Sequence, residues 1–132
     1  MYTLQEEPID LSGAFAGTGP ESGATLVFAG TVRDDGMDLL DLETDPDEAE
    51  RELGRIVGEA EERWDLTGIR IVHRFGPMKV GEVIVLIIVS AAHRENAYEA
   101  SRFLIDEIKH RVPIWKKEIS GERTSWVPGA GE

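Results

Sequence analysis

A proline at position 113 constrains this chain more than any other residue, because of what lies on either side of it. Residues 109–117 read Lys-His-Arg-Val-Pro-Ile-Trp-Lys-Lys. The pattern before the proline is helical, and the pattern after it suits a strand. Proline has no N–H to donate and pushes the residue before it into extended backbone, so the helix must end there. A spacing of seven would place Lys109 and Lys116 on one face of an unbroken helix. With Pro113 between them, they meet only if the chain folds back.

That segment also concentrates the chain's amines. Of its four lysines (Lys79, Lys109, Lys116, Lys117), three fall here, in a chain with 26 acidic and 14 basic residues and a net charge of −12. If Lys109 and Lys116 converge, each ammonium lowers the pKa of the other, helped by Lys117 and Arg111. A lysine made partly neutral in this way serves as a base or as an acyl nucleophile. The competing reading is structural: Lys109 complements a helix C-terminus, and Lys117 pairs with Glu118 at the surface.

The remaining elements follow from periodicity and turn residues. Tyr2–Gln5 reads as a short strand. Residues 12–23, rich in Gly, Ser and Pro, read as a loop around a short helical turn. Ala24–Gly30 is a β-prone apolar run extended by Thr31, Val32 and Arg33, and Asp34-Asp35-Gly36 breaks it. Met37–Glu43 alternates as a strand. Asp45 (N-cap), Pro46 (first helical position) and Glu48 announce a helix with an apolar stripe of Ala49, Leu53, Ile56, Val57, Ala60 and Trp64. Ile69–Phe75 alternates, and Gly76-Pro77 stops it. Glu82–Val89 is continuously apolar, as in a strand buried on both faces. A second helix runs from Arg94 to Arg111 with a stripe of Ala97, Ala100, Phe103, Leu104 and Ile108. Ile114–Ile119 and Arg123–Val127 form a closing pair of strands. Two helices among seven strands give an α+β class in a single domain over 1–132.

Composition excludes several functions. At −12 the chain repels a phosphate backbone, which argues against nucleic acid. No apolar run reaches membrane-spanning length, and the N-terminus lacks the pattern of a secretory signal. There is no cysteine, which fits a cytoplasmic protein. High Asp and Glu with few Lys is the composition of proteins from high-salt cytoplasm, which makes a halophilic source the expectation, with an acidic mesophilic protein as the alternative. Three scattered histidines give no zinc pattern, and no phosphate-loop or dinucleotide fingerprint is present, so neither a metal nor a cofactor is expected.

Two further places suit an anion. Ser90-Ala91-Ala92-His93-Arg94 joins the most buried strand to the second helix, where backbone N–H groups, His93 and Arg94 would hold a phosphate or carboxylate. Arg33 ends a strand beside a turn. His73, in mid-strand, reads as structural, and His110 as facing solvent.

Together these segments resemble the large, catalytic subunit of molybdopterin synthase. The residues that carry the likeness are Glu7-Pro8-Ile9-Asp10, Gly30-Thr31-Val32-Arg33, Ile71-Val72-His73-Arg74-Phe75-Gly76, Gly81-Glu82, Ser90 to Arg94, Tyr98-Glu99-Ala100, Lys109 to Glu118, and Trp126. The resemblance implies an α/β-hammerhead with an added antiparallel β portion. It implies transfer of sulfur from the C-terminal Gly-Gly thiocarboxylate of a small ubiquitin-like subunit to cyclic pyranopterin monophosphate, making the dithiolene of molybdopterin. It implies a heterotetramer built on a dimer of the large subunit. Lys109 and Lys116 fall on the family's pocket lysines, Lys109 by the thiocarboxylate and Lys116 in acid–base work. Arg33, His93 and Arg94 fall on its anion-binding residues, and Lys117 and Glu118 near the same pocket. The turn after Arg33 is shorter than the family's. Two other readings are a non-catalytic docking module for a ubiquitin-like tail and a phosphate-ester hydrolase.

Overall fold

Chain reversal at Pro113 brings two small sheets together. The computed structural model describes residues 1–15 and 19–127; positions 16–18 of the expected loop and residues 128–132 of the expected domain lie outside them. The elements are β1 (Tyr2–Gln5), β2 (Ala24–Thr31), β3 (Leu39–Thr44), α1 (Pro46–Arg63), β4 (Gly68–Arg74), β5 (Gly76–Met78), β6 (Val83–Ala91), α2 (Arg94–Arg111), β7 (Ile114–Ser120) and β8 (Arg123–Trp126). One sheet has the order β1-β4-β6-β2 and the other β5-β3-β7-β8. Among the described residues only the β1–β4 pair is parallel. The class is α+β, with two helices as expected.

Both helices pack on one face of the first sheet. Asp45 caps α1 by accepting the Glu48 N–H at 3.3 Å. The expected stripe Ala49, Leu53, Ile56, Val57 and Ala60 is buried against α2 and against Ile71, Val85, Ile87 and Val89 of the sheet. Trp64 sits at the helix end, half-buried, with its ring edge on Phe103 of α2. The opposite face of β6 is buried too, where Leu86 and Ile88 meet Ala14 and Ile9. That accounts for the unbroken apolar run of this strand.

One expectation fails at Gly76. Gly76 and Pro77 do not simply end β4; they open a short strand, β5. Gly76 has φ +92°, a conformation that glycine adopts without a Cβ penalty. The bend carries the chain out of the first sheet and onto the edge of β3, with Gly76 opposite Leu42. Met78 then fills the second core with Val32, Leu40 and Leu42.

Arg111, at the end of α2, ties that helix to α1. Its Nε donates to Glu52 at 2.7 Å, Nη2 to Glu59 at 2.6 Å and Nη1 to Glu107 at 3.2 Å. Hydrogen bonds to these carboxylates, Glu59 foremost, raise the guanidinium pKa and lower those of Glu52 and Glu59. The network fixes the last turn of α2 just before the proline. We expect Arg111→Ala to lower unfolding free energy by about 1–3 kcal/mol, because three carboxylates lose one shared partner. Urea unfolding measures this, and unchanged stability would show that the helix end is held by packing alone.

Candidate functional site

The site is built where α2 ends and β7 begins. Val112 takes φ −77° and ψ 126° and its N–H reaches Ile108 O, which closes the helix in extended backbone. The Pro113 carbonyl accepts the Thr44 hydroxyl at 2.7 Å, pinning the turn to β3. β7 then runs antiparallel to β3, with Leu42 opposite Lys116 and Leu40 opposite Glu118. The reversal opens a cavity of about 600 Å³ lined by Lys109 of α2, Lys116 and Glu118 of β7, Arg33 beyond β2, and His73 of β4. Its remaining walls are largely apolar, with Phe28, Ile84, Val85, Ile105 and Ile114 among them. The chain thus folds back as the meeting of Lys109 and Lys116 requires, and both line one cavity.

Gly30 shapes the floor of the cavity. A Cβ there would lie 2.8 Å from Val85 Cγ1, so any larger residue would force the Val85 side chain to shift. The register between these strands shifts between Gly30 and Thr31. Such an irregularity bends the strand and aims the residues that follow it toward the cavity. Arg33 lies at the rim, its side chain 85% exposed, with Nε donating to Asp35 at 3.1 Å.

Three other sequence-predicted residues lie elsewhere. His93 and Arg94 are exposed at the start of α2 and border a separate shallow cleft with Gly23 and Glu95. Strand register shows why: Ala91 pairs with Ala24 at one end of β2–β6, whereas Val85 pairs with Gly30 at the cavity end. Six residues of strand separate the two ends by roughly 20 Å. Lys117 follows Lys116 in a strand, so alternation sends it to the opposite face. There it pairs with Glu43 at 2.9 Å and Asp41 at 3.7 Å and lies 5.2 Å from the Trp126 ring centre. The Glu43 hydrogen bond, then its charge and that of Asp41, raise the Lys117 pKa. Arg111 is likewise turned away from the cavity toward α1. His110 is exposed, its Nδ1 bonded to Asp106 O at 2.7 Å.

His73 is buried, as a structural residue in mid-strand should be, and it also borders the cavity. Its Nδ1 lies 2.9 Å from the Arg74 carbonyl, which can only accept, so Nδ1 carries the proton and Nε2 the lone pair. The signal in the sequence was its alternation with Ile69 and Ile71, which puts all three on the helix-facing side of β4. Next to it, Arg74 is buried and donates to the Glu6 carbonyl at 2.8 and 3.1 Å and to Glu82 at 3.2 Å. The arrangement can seat an anion among cations, with one neutral imidazole and two carboxylates, Asp35 and Glu118, in the same walls. Among the described residues no cluster of His, Asp and Glu could hold a metal ion, and no helix is long and apolar enough to cross a membrane.

Desolvation drives the His73 pKa down to about 4, with the Arg74 carbonyl opposing and the Lys116 charge assisting. From there up to the ordinary imidazole value, the unfolded chain binds a proton that the folded chain refuses. Stability from this group is therefore complete above about pH 6.5 and is lost as pH falls toward 4. Between pH 7 and 4.5 the native protein should lose about 2–3 kcal/mol more than His73→Phe does. Parallel urea titrations test this, and identical pH slopes would contradict the buried neutral imidazole.

Comparison with known proteins matches this arrangement to one family. The MoaE protein family model matches residues 4–111. The molybdopterin synthase catalytic subunit of Mesorhizobium japonicum is 46% identical over 109 residues, covering 80% of this chain and 69% of that one. Its counterpart in Haemophilus influenzae is 38% identical over 133 residues, covering 96% and 89%. The crystal structure of molybdopterin synthase from Staphylococcus aureus superposes with a TM-score of 0.86 at 38% identity, covering 94% of each chain.

Proposed function

This chain belongs to the MoaE family of molybdopterin synthase catalytic subunits, and from that membership we propose that Lys109 and Lys116 carry its sulfur transfer. The donor is the C-terminal thiocarboxylate of a small ubiquitin-like carrier, and the acceptor is cyclic pyranopterin monophosphate. The observation that carries this reading is the shared cavity of Lys109, Lys116 and Arg33. Both reactants are anions, and bringing them together is uphill unless fixed positive charge awaits them.

Each group has a place in the reaction. The carrier's sulfur attacks a side-chain carbon of the pterin, whose carbon–oxygen bond breaks as the oxygen leaves with a proton, so that a thioester joins carrier to substrate. Water then adds to the glycine acyl carbon and the bond from sulfur to that carbon breaks, which releases the carrier as a carboxylate and leaves the sulfur on the pterin. Lys109 stabilises the oxyanion at that carbon, and Lys116 donates and accepts protons beside the substrate. Arg33 at the rim grips the cyclic phosphate. Lys117, on the outer face of β7, has no direct route to the cavity. A docking role without chemistry fits less well, because it needs no second lysine inside the walls.

His93 and Arg94 take part through a second copy of the chain. Within one copy they lie roughly 20 Å along the sheet from the cavity, too far for one small phosphate. In a dimer, the α2 start of one copy would close the cavity of the other. The full assembly is then two catalytic chains with two carriers, each catalytic chain acting as a single domain over 1–132 in the cytoplasm.

Reconstitution from purified chain, thiocarboxylated carrier and pterin substrate, assayed for dithiolene, tests the reading. Lys109→Ala should lose at least about 100-fold in rate while still binding the carrier. Full activity in that variant would remove Lys109 from the mechanism. Mixed dimers test the second point. A Lys109→Ala copy paired with an Arg94→Ala copy should regain about half the native rate, since one complete cavity forms across the pair. No recovery would place Arg94 outside the partner's site.

A further inference from the structure

The turn after Arg33 contains two acids with different tasks. Asp34 closes the turn: its Oδ1 accepts the Gly36 N–H at 3.1 Å, and Gly36 sits at φ +88°. Met37, buried in the second core, anchors the far side. Asp35 is left on the cavity wall, with both carboxylate oxygens on Arg33 Nε at 3.1 and 3.3 Å. Beside Arg33, Lys109 and Lys116, the wall also carries Asp35 and Glu118, so three cations face two carboxylates.

We propose that Asp35 is a resident counter-ion of Arg33, which an incoming anion must displace, and that it sets how tightly the cavity takes anions. This rests on the reading of Arg33 as the phosphate-gripping residue. An anion that displaces Asp35 gains only the difference between its own contacts and those of a carboxylate already in place. A simple carboxylate gains nothing at Arg33. A phosphate group offers more oxygens and more charge to the guanidinium fork. The Arg33–Asp35 pair is open to water, its side chains 85% and 43% exposed. It is therefore weak enough to yield to a proper ligand, yet it handicaps every ligand by the same factor. That common factor leaves the order of anions to the contacts each one makes and thins the occupancy of all of them.

The test is a titration of the full chain with inorganic phosphate and, separately, acetate at fixed ionic strength. Binding is followed through the Arg33 Nε–H resonance, assigned by its loss in Arg33→Ala. Asp35→Asn should bind both anions about two- to five-fold more tightly. Asp35→Glu, which restores the charge, should return toward native affinity, and Asp34→Asn, which alters only the turn, should not tighten binding. Native or weaker affinity in Asp35→Asn overturns the proposal, as does equal tightening in Asp34→Asn. If bulk phosphate affinity, read by calorimetry, is the same in Arg33→Ala as in the native chain, the phosphate-gripping role itself fails. A loss there with no gain in Asp35→Asn sinks only the counter-ion.

Discussion

The missing N–H of Pro113 is the constraint on which the site depends. A residue able to donate would let α2 continue, and Lys109 and Lys116 would then lie about 10 Å apart along one exposed helix face. Instead Val112 adopts extended backbone, Thr44 holds the Pro113 carbonyl, and β7 returns beside β3. The Arg111 network holds the helix end from the other side, through carboxylates of α1 and α2. The amines thus enter one cavity because a backbone hydrogen bond is forbidden between them.

The acidity of the chain acquires meaning against this cavity. Its net charge is −12, and many of its cations are matched to carboxylates in the structure: Arg51 and Arg55 along α1, Arg74 with Glu82, Arg111 with three glutamates, Lys117 with two acids. Positive charge inside an apolar-walled cavity is felt more strongly than the same charge in water. A surface that is negative elsewhere leaves the cavity as the attractive place for an anion, and Asp35 moderates that attraction at its rim.

Much of this was legible from the sequence, because it follows from local rules. Caps, periodicity and proline chemistry located both helices and seven of the strands, and the resemblance carried by Gly30–Arg33, Ser90–Arg94 and Lys109–Glu118 named the family. What was not legible depends on which strands lie side by side. β5 needed the open edge of β3 as well as the Gly76 bend. The separation of His93 and Arg94 from the lysines follows from the β2–β6 register, which residue types alone do not reveal. His73 lies beside the cavity because of sheet order, although its histidine-in-a-strand pattern reads as core packing. Lys117 differs: strand alternation beside Lys116 already places it on the opposite face, so the resemblance outweighed a physical rule that was available.

The most direct measurement is a crystal structure of this chain bound to its thiocarboxylated carrier. The terminal glycine of the carrier should lie inside the cavity, with its acyl group about 3 Å from the amines of Lys109 and Lys116. A carrier tail seated away from that cavity, or lysines that point apart when it enters, would remove both amines from the reaction.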